Sequence, residues 1–133
     1  MPGHGVMHLF AYGTLLGGLR PAAIARAAER LAVLGPATVR GRLYDLGEYP
    51  GLVLDPAANE VHGTIFTVPD DGVLAALDAY EGFAPNDRRR SLFVRTRVAA
   101  MLDDGGVRDC FVYVYDRDPA DALVIAGGRW TPL

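Results

Sequence analysis

A glutamate stands where an apolar side chain is expected. Between Gly72 and Tyr80 the spacing predicts a helix, and Leu74, Leu77 and Glu81, three and four residues apart, share its inward stripe. Gly82 is suited to a left-handed cap, so Glu81 also closes the helix, where the negative end of the macrodipole opposes an ionised acid. Burial and dipole both raise its pKa toward the range in which one carboxyl takes and gives a proton near neutral pH. The competing arrangement is a helix that stops early at Gly82, with Glu81 in solvent or paired with an arginine of the Arg88-Arg89-Arg90 run.

The second candidate is the strand end Tyr12-Gly13-Thr14-Leu15, followed by Leu16-Gly17-Gly18. A strand that breaks at glycine aims successive backbone N–H groups into a concavity able to hold an anion or a developing oxyanion. The alternative is a plain loop leading to the helix at Pro21. Gly13, Gly17 and Gly18 lack the G-x-G-x-x-G spacing of a dinucleotide fingerprint. Farther on, Tyr113 and Tyr115 alternate with Val112 and Val114, which puts both rings with Phe111 on one face of a strand, either packed at a core edge or lining a pocket. His4, His8, His62 and Cys110 are the only imidazole and thiol groups, and the first two lie at or near the terminus, which argues against a metal site.

The residues that are missing narrow the chemistry further. All 13 basic residues are Arg, Ser91 is the only serine, Cys110 the only cysteine, and Lys and Gln do not occur. There is thus no Schiff-base or P-loop lysine and little choice of side-chain nucleophile, so carboxylates, tyrosines, arginines and backbone amides must carry any catalysis. A net charge of -3 argues against binding nucleic acid or an anionic membrane, and the Arg88 to Arg90 run reads as a solvated loop. One cysteine forms no internal disulfide, the N-terminus lacks the basic opening of a secretory signal, and no stretch approaches the ~18 apolar residues of a membrane span. The expectation is a cytoplasmic protein. Its 133 residues suit one domain that buries roughly two-thirds of its unfolded surface.

The elements that must position these groups follow from periodicity. Residues 7–12 form an apolar first strand stopped by Gly13. A helix opens near Pro21, carries Ile24, Ala27, Ala28 and Leu31 on one face, and is expected to end at Gly35-Pro36. Strand-like segments follow at 37–46, 52–54 and 61–68. The second helix starts after Pro69, capped by Asp70 or Asp71, with Val73, Leu74 and Leu77 inward. Two long strands, 92–102 and 107–115, flank the turn Asp103-Asp104-Gly105-Gly106, and the tail from Pro119 has no clear pattern. Many strands with few residues between them predict an α+β fold on an antiparallel or mixed sheet that can curl into a barrel.

Four segments, Phe10-Ala11-Tyr12-Gly13-Thr14-Leu15, the stretch from Gly41 to Val53 with its Tyr49-Pro50-Gly51 loop, Leu77-Asp78-Ala79-Tyr80-Glu81-Gly82 and Val112-Tyr113-Val114-Tyr115, occur in an order that resembles gamma-glutamylcyclotransferase-like proteins. The likeness runs from about Leu9 to Trp130 and is nearest the branch that includes gamma-glutamylamine cyclotransferase. It implies a small mixed β-barrel with flanking helices and a cavity between the Y-G-x-L turn and the glutamate. By motif, Glu81 is implied to be the catalytic acid/base, and Tyr12, Gly13, Thr14 and Leu15 the substrate-holding turn; Tyr115 joins the substrate-binding set. One departure stands out. Relatives often carry tyrosine two residues before the arginine of a Y-x-R element, and here Phe93 precedes Arg95.

The implied reaction suits the inventory. The α-amine of a gamma-glutamyl amide attacks its own γ-carbonyl, closes 5-oxoproline and expels an amine, with no protein nucleophile, metal or cofactor required. The partner is a small molecule, with neither nucleic acid nor membrane involved. Two alternatives use the same cavity: an amide hydrolase in which Glu81 activates water, and a non-catalytic binding domain. Release of 5-oxoproline, of glutamate, or of neither separates the three.

Overall fold

The computed structural model describes residues 7–13, 22–47, 49–84, 86–87, 91, 93–119 and 122–130. Thr14, Leu15, the glycines at 17 and 18, Pro21, the side chain of Ile24 and residues 88–90 lie outside them. Strands β1 (Met7–Ala11), β2 (Ala32–Asp45), β3 (Pro50–Leu54), β4 (Glu60–Val68), β5 (Phe93–Leu102), β6 (Val107–Tyr115) and β7 (Leu123–Val124) surround helices α1 (Ala22–Glu29) and α2 (Asp71–Tyr80). Hydrogen-bonded order runs β3-β2-β4-β1-β6-β5, and a further β2–β5 pairing at Ala37↔Leu102 and Thr38↔Met101 closes five of these strands into a barrel. The expected mixed β-barrel with flanking helices is therefore present. Among the described residues no helix is long and apolar enough to cross a membrane.

Closure depends on β2, whose 14 residues pair in turn with β4, β5, β3 and β7. Here the expected helix end at Gly35-Pro36 is corrected. α1 stops at Glu29, its last turn tightened by Arg30 and Leu31 amides bonding to the Ala27 and Ala28 carbonyls, and Gly35 and Pro36 lie inside β2. The register shifts between Val33 and Gly35, and Pro36 turns its carbonyl, and with it the nitrogen that cannot donate, to the β5 side, where the carbonyl accepts the Asp103 amide at 3.3 Å just beyond the Ala37↔Leu102 pair. The patternless tail supplies β7, which pairs with Tyr44 and Asp45. The 103–106 turn closes the β5–β6 hairpin as expected, with Gly105 at φ +92°.

Two packed layers follow from strand alternation. Phe10, Val39, Leu43, Leu52, Ile65 and Val112 fill one, and Leu9, Ala11, Phe66 and Tyr113 join Ala28 of α1 and Val73, Leu74 and Leu77 of α2 in the other. β1 lies antiparallel to β4 but parallel to β6, through Leu9↔Phe111. The carboxyl ends of β1 and β6 therefore emerge at the same end of the barrel. α2 is started by Asp70, whose side chain accepts the Val73 amide at 3.0 Å and meets Arg30 at 2.6 Å, so the cap also ties α2 to the end of α1.

Candidate active site

α2 delivers Glu81 to that end. The Glu81 amide bonds to the Leu77 carbonyl, Gly82 takes φ +69°, and the amides of Gly82 and Phe83 return to the carbonyls of Ala79 and Asp78 at 3.3 and 2.9 Å. This paired closure needs a left-handed residue, which glycine adopts without strain, and it fixes the backbone on which Glu81 sits. It also gives the Leu77, Asp78 and Ala79 carbonyls their partners. Burial raises the Glu81 pKa, from 4.5 to about 7.

One turn earlier on the same helix, Asp78 is buried. Arg95 of β5 contacts both its carboxylate oxygens, at 2.9 and 3.2 Å, and Tyr113 of β6 donates its hydroxyl to Asp78 Oδ1 at 2.7 Å. The guanidinium is further held against the Phe111 and Phe83 rings, 4.9 and 5.7 Å from their centroids. Tyr12, just past β1, donates its hydroxyl to the Tyr113 carbonyl and accepts the Leu52 amide at 3.3 Å. Burial pushes both phenols above their ordinary range. A charge on Glu81 adds to this at each, and at Tyr113 the bond to Asp78 adds more. Glu81 thus lies within electrostatic reach of two neutral phenols, one at the end of β1 and one near the end of β6.

An aromatic wall continues from there. Tyr115 meets Phe93 edge-on at 5.7 Å between centroids, and Phe93 meets Tyr49 at 5.8 Å. Gly51 lets them close in, since a Cβ there would lie 2.7 Å from Leu46 Cδ1 and 3.0 Å from Tyr115 Cβ. Gly13 faces Pro50 of the same loop.

Of the candidates from sequence, Tyr12, Gly13, Glu81 and Tyr115 converge on this barrel end, whereas Thr14 and Leu15 fall outside the described residues. The strand phase holds: Phe111, Tyr113 and Tyr115 pack toward the helices and Cys110, Val112 and Val114 toward the other layer. Sequence reading passed over Asp78, although a second carboxylate four residues after Leu74 carries the same signal that marks Glu81. The two ordinary nucleophiles have other work. Ser91 is fully buried and bonds to the Ala84 amide and to the Ala84 and Asp87 carbonyls, while burial pushes the Cys110 thiol up to about 11.

The family model described as gamma-glutamyl cyclotransferase, AIG2-like, matches residues 9–132. The chain belongs to this family. Among solved structures it is similar to an AIG2-like protein from Mus musculus, with 25% identity, a TM-score of 0.71 and 98% of each chain covered. It is also similar to protein ytfP from Escherichia coli, with 28% identity, a TM-score of 0.65, and 93% of this chain and 96% of that one covered. YkqA from Bacillus subtilis shares the fold at 19% identity and a TM-score of 0.69; 95% of this chain matches it, spanning 40% of that longer protein. No curated protein matches the chain. Membership in the gamma-glutamyl cyclotransferase family supports a cyclotransferase type of enzyme, and all four segments that carried the resemblance lie within or overlap the matched stretch.

Proposed function

We propose that this protein is a gamma-glutamyl amide cyclotransferase, converting a gamma-glutamyl amide to 5-oxoproline and a free amine with Glu81 as general acid/base. The observation that carries the reading is a glutamate with a pKa of about 7, at a rigidly capped helix end beside two neutral phenols. Near neutral pH such a carboxyl is divided between its two protonation states, which suits a cycle that takes protons from one nitrogen and hands them to another. As carboxylate, Glu81 accepts a proton from the substrate's α-ammonium. The freed amine forms the N–C bond to the γ-carbonyl, and a tetrahedral oxyanion results. The new ring nitrogen still carries a surplus proton. As the intermediate collapses, the C–N bond to the leaving amine breaks and Glu81 returns its proton to the departing nitrogen; ionised again, Glu81 takes the surplus proton from the ring nitrogen and passes it to the released amine, which departs as an ammonium ion. Holding the chain folded with its two ends in contact accounts for much of the acceleration, because the attack becomes intramolecular within a fixed geometry.

The Tyr12-Gly13-Thr14-Leu15 turn is assigned to hold the substrate, its amides bonding the α-carboxylate or the oxyanion. Tyr115, with Phe93 and Tyr49, forms an apolar wall for the substrate's carbon chain. Incubation with a panel of gamma-glutamyl amines, followed by mass spectrometry of both acids, tests the reading. 5-Oxoproline released in step with the amine is the expected result. Glutamate in its place means hydrolysis, and no turnover across the panel means a binding domain; either overturns the proposal.

A further inference from the structure

The charges of Arg95 and Glu81 both act on the Tyr113 phenol, and a guanidinium that came to lie beside Glu81 would hold that glutamate ionised and remove its capacity to return a proton. The fold sends the guanidinium elsewhere. Asp78 and Glu81 are three residues apart, adjacent on one side of α2, and Arg95 bonds to both oxygens of Asp78. Tyr113 donates to the same carboxylate, and its main-chain carbonyl takes the hydroxyl of Tyr12. The charge on Glu81 reaches Tyr113 of β6 and Tyr12 at the end of β1, while Asp78, one turn back on the helix, engages Arg95 of β5 and Tyr113. Among the described residues no ion pair reaches Glu81 itself.

We infer that Asp78 is a positioning residue for the reaction: by engaging Arg95 and Tyr113 it keeps the guanidinium off Glu81 and anchors the helical turn that carries Glu81 against β5 and β6. This rests on the proposed role of Glu81 for its catalytic meaning, but its electrostatic content stands without it. Two neighbours of opposite charge make the effect separable by sign. Asp78→Asn keeps the shape and an oxygen acceptor while leaving Arg95 to seek Glu81. Arg95→Met keeps an apolar stem between the phenylalanine rings and leaves the charge on Asp78 facing Glu81 uncompensated.

The test is 13C NMR titration of the glutamate carboxyls in the full chain, with Glu81 identified by comparison with Glu81→Gln, alongside pH profiles of turnover. Asp78→Asn is expected to move the Glu81 midpoint down by about 1 and Arg95→Met to move it up by about as much, the double variant returning toward the wild type. The acid limb of the pH profile should follow in the same directions, and Asp78→Glu should restore part of both readouts. If Asp78→Asn does not fold, the Arg95→Met shift decides alone. A Glu81 midpoint that stays put, or moves the same way in both variants, while melting temperature falls means that the pair only supports the fold, and overturns the inference. Midpoints that move as expected while turnover ignores the titration of Glu81 leave the inference intact and reject the acid/base reading instead.

Discussion

The Tyr12 hydroxyl donates to the backbone carbonyl of Tyr113, 101 residues farther along the chain. β1 and β6 pair only at Leu9↔Phe111, so this bond continues their contact beyond the ladder to the point where the first strand breaks at Gly13. Because Tyr113 also reaches Asp78, the broken strand and the end of α2 are held through a single residue. Tyr12 and the helix end that carries Glu81 are thereby tied to one residue, Tyr113.

Tyr12→Phe keeps the ring and removes both bonds, leaving the Tyr113 carbonyl and the fully buried Leu52 amide without a partner. The expected loss is ~1–3 kcal/mol of stability, the usual cost of an orphaned buried polar group. Urea unfolding checks it. An unchanged midpoint would mean that water or a neighbouring group replaces the phenol.

Glu81→Gln preserves shape and hydrogen-bonding atoms but cannot titrate. Turnover of a gamma-glutamyl amine should fall ~100-fold or more with the fold retained, as measured by 5-oxoproline release and circular dichroism. Cyclisation at the wild-type rate would take the acid/base role from Glu81.

The same residue sets a pH dependence of stability. Its pKa is near the ordinary 4.5 when unfolded and about 7 when folded, so between these values the native state binds the extra proton. The stabilisation from the protonated form is complete below about 4.5 and is lost as pH rises through about 7. Glu81→Gln abolishes that loss. The melting temperature of the variant minus that of the wild type should therefore grow from pH 5 to pH 8, and a difference that is flat or shrinks across this range would contradict a raised pKa.

Ser91→Ala removes a buried hydroxyl that accepts the Ala84 amide and bonds to the Ala84 and Asp87 carbonyls. A cost of ~1–3 kcal/mol is expected, with turnover per folded molecule retained because Ser91 is a staple of the segment after α2 and no nucleophile. Loss of activity in well-folded protein would contradict this role.

Sequence periodicity by itself determined the α2 stripe, its start at Asp70 or Asp71, its end at Gly82 and the side-chain phase of β6, because helix caps and strand alternation are local properties that a few neighbouring residues decide. It likewise marked Glu81 as a carboxyl on an apolar stripe. Gly35-Pro36 misled for the converse reason: their place inside β2 is made by pairing with a strand some thirty residues away. What only the tertiary structure decided is which charges meet. Asp78 and Glu81 stand three residues apart at the end of α2, and the register of β5 against β6, with the rings of Phe111 and Phe83 beside the guanidinium, brings Arg95 to Asp78. Such a choice turns on a few ångströms between elements far apart in the chain, a distance that no local pattern of residues encodes.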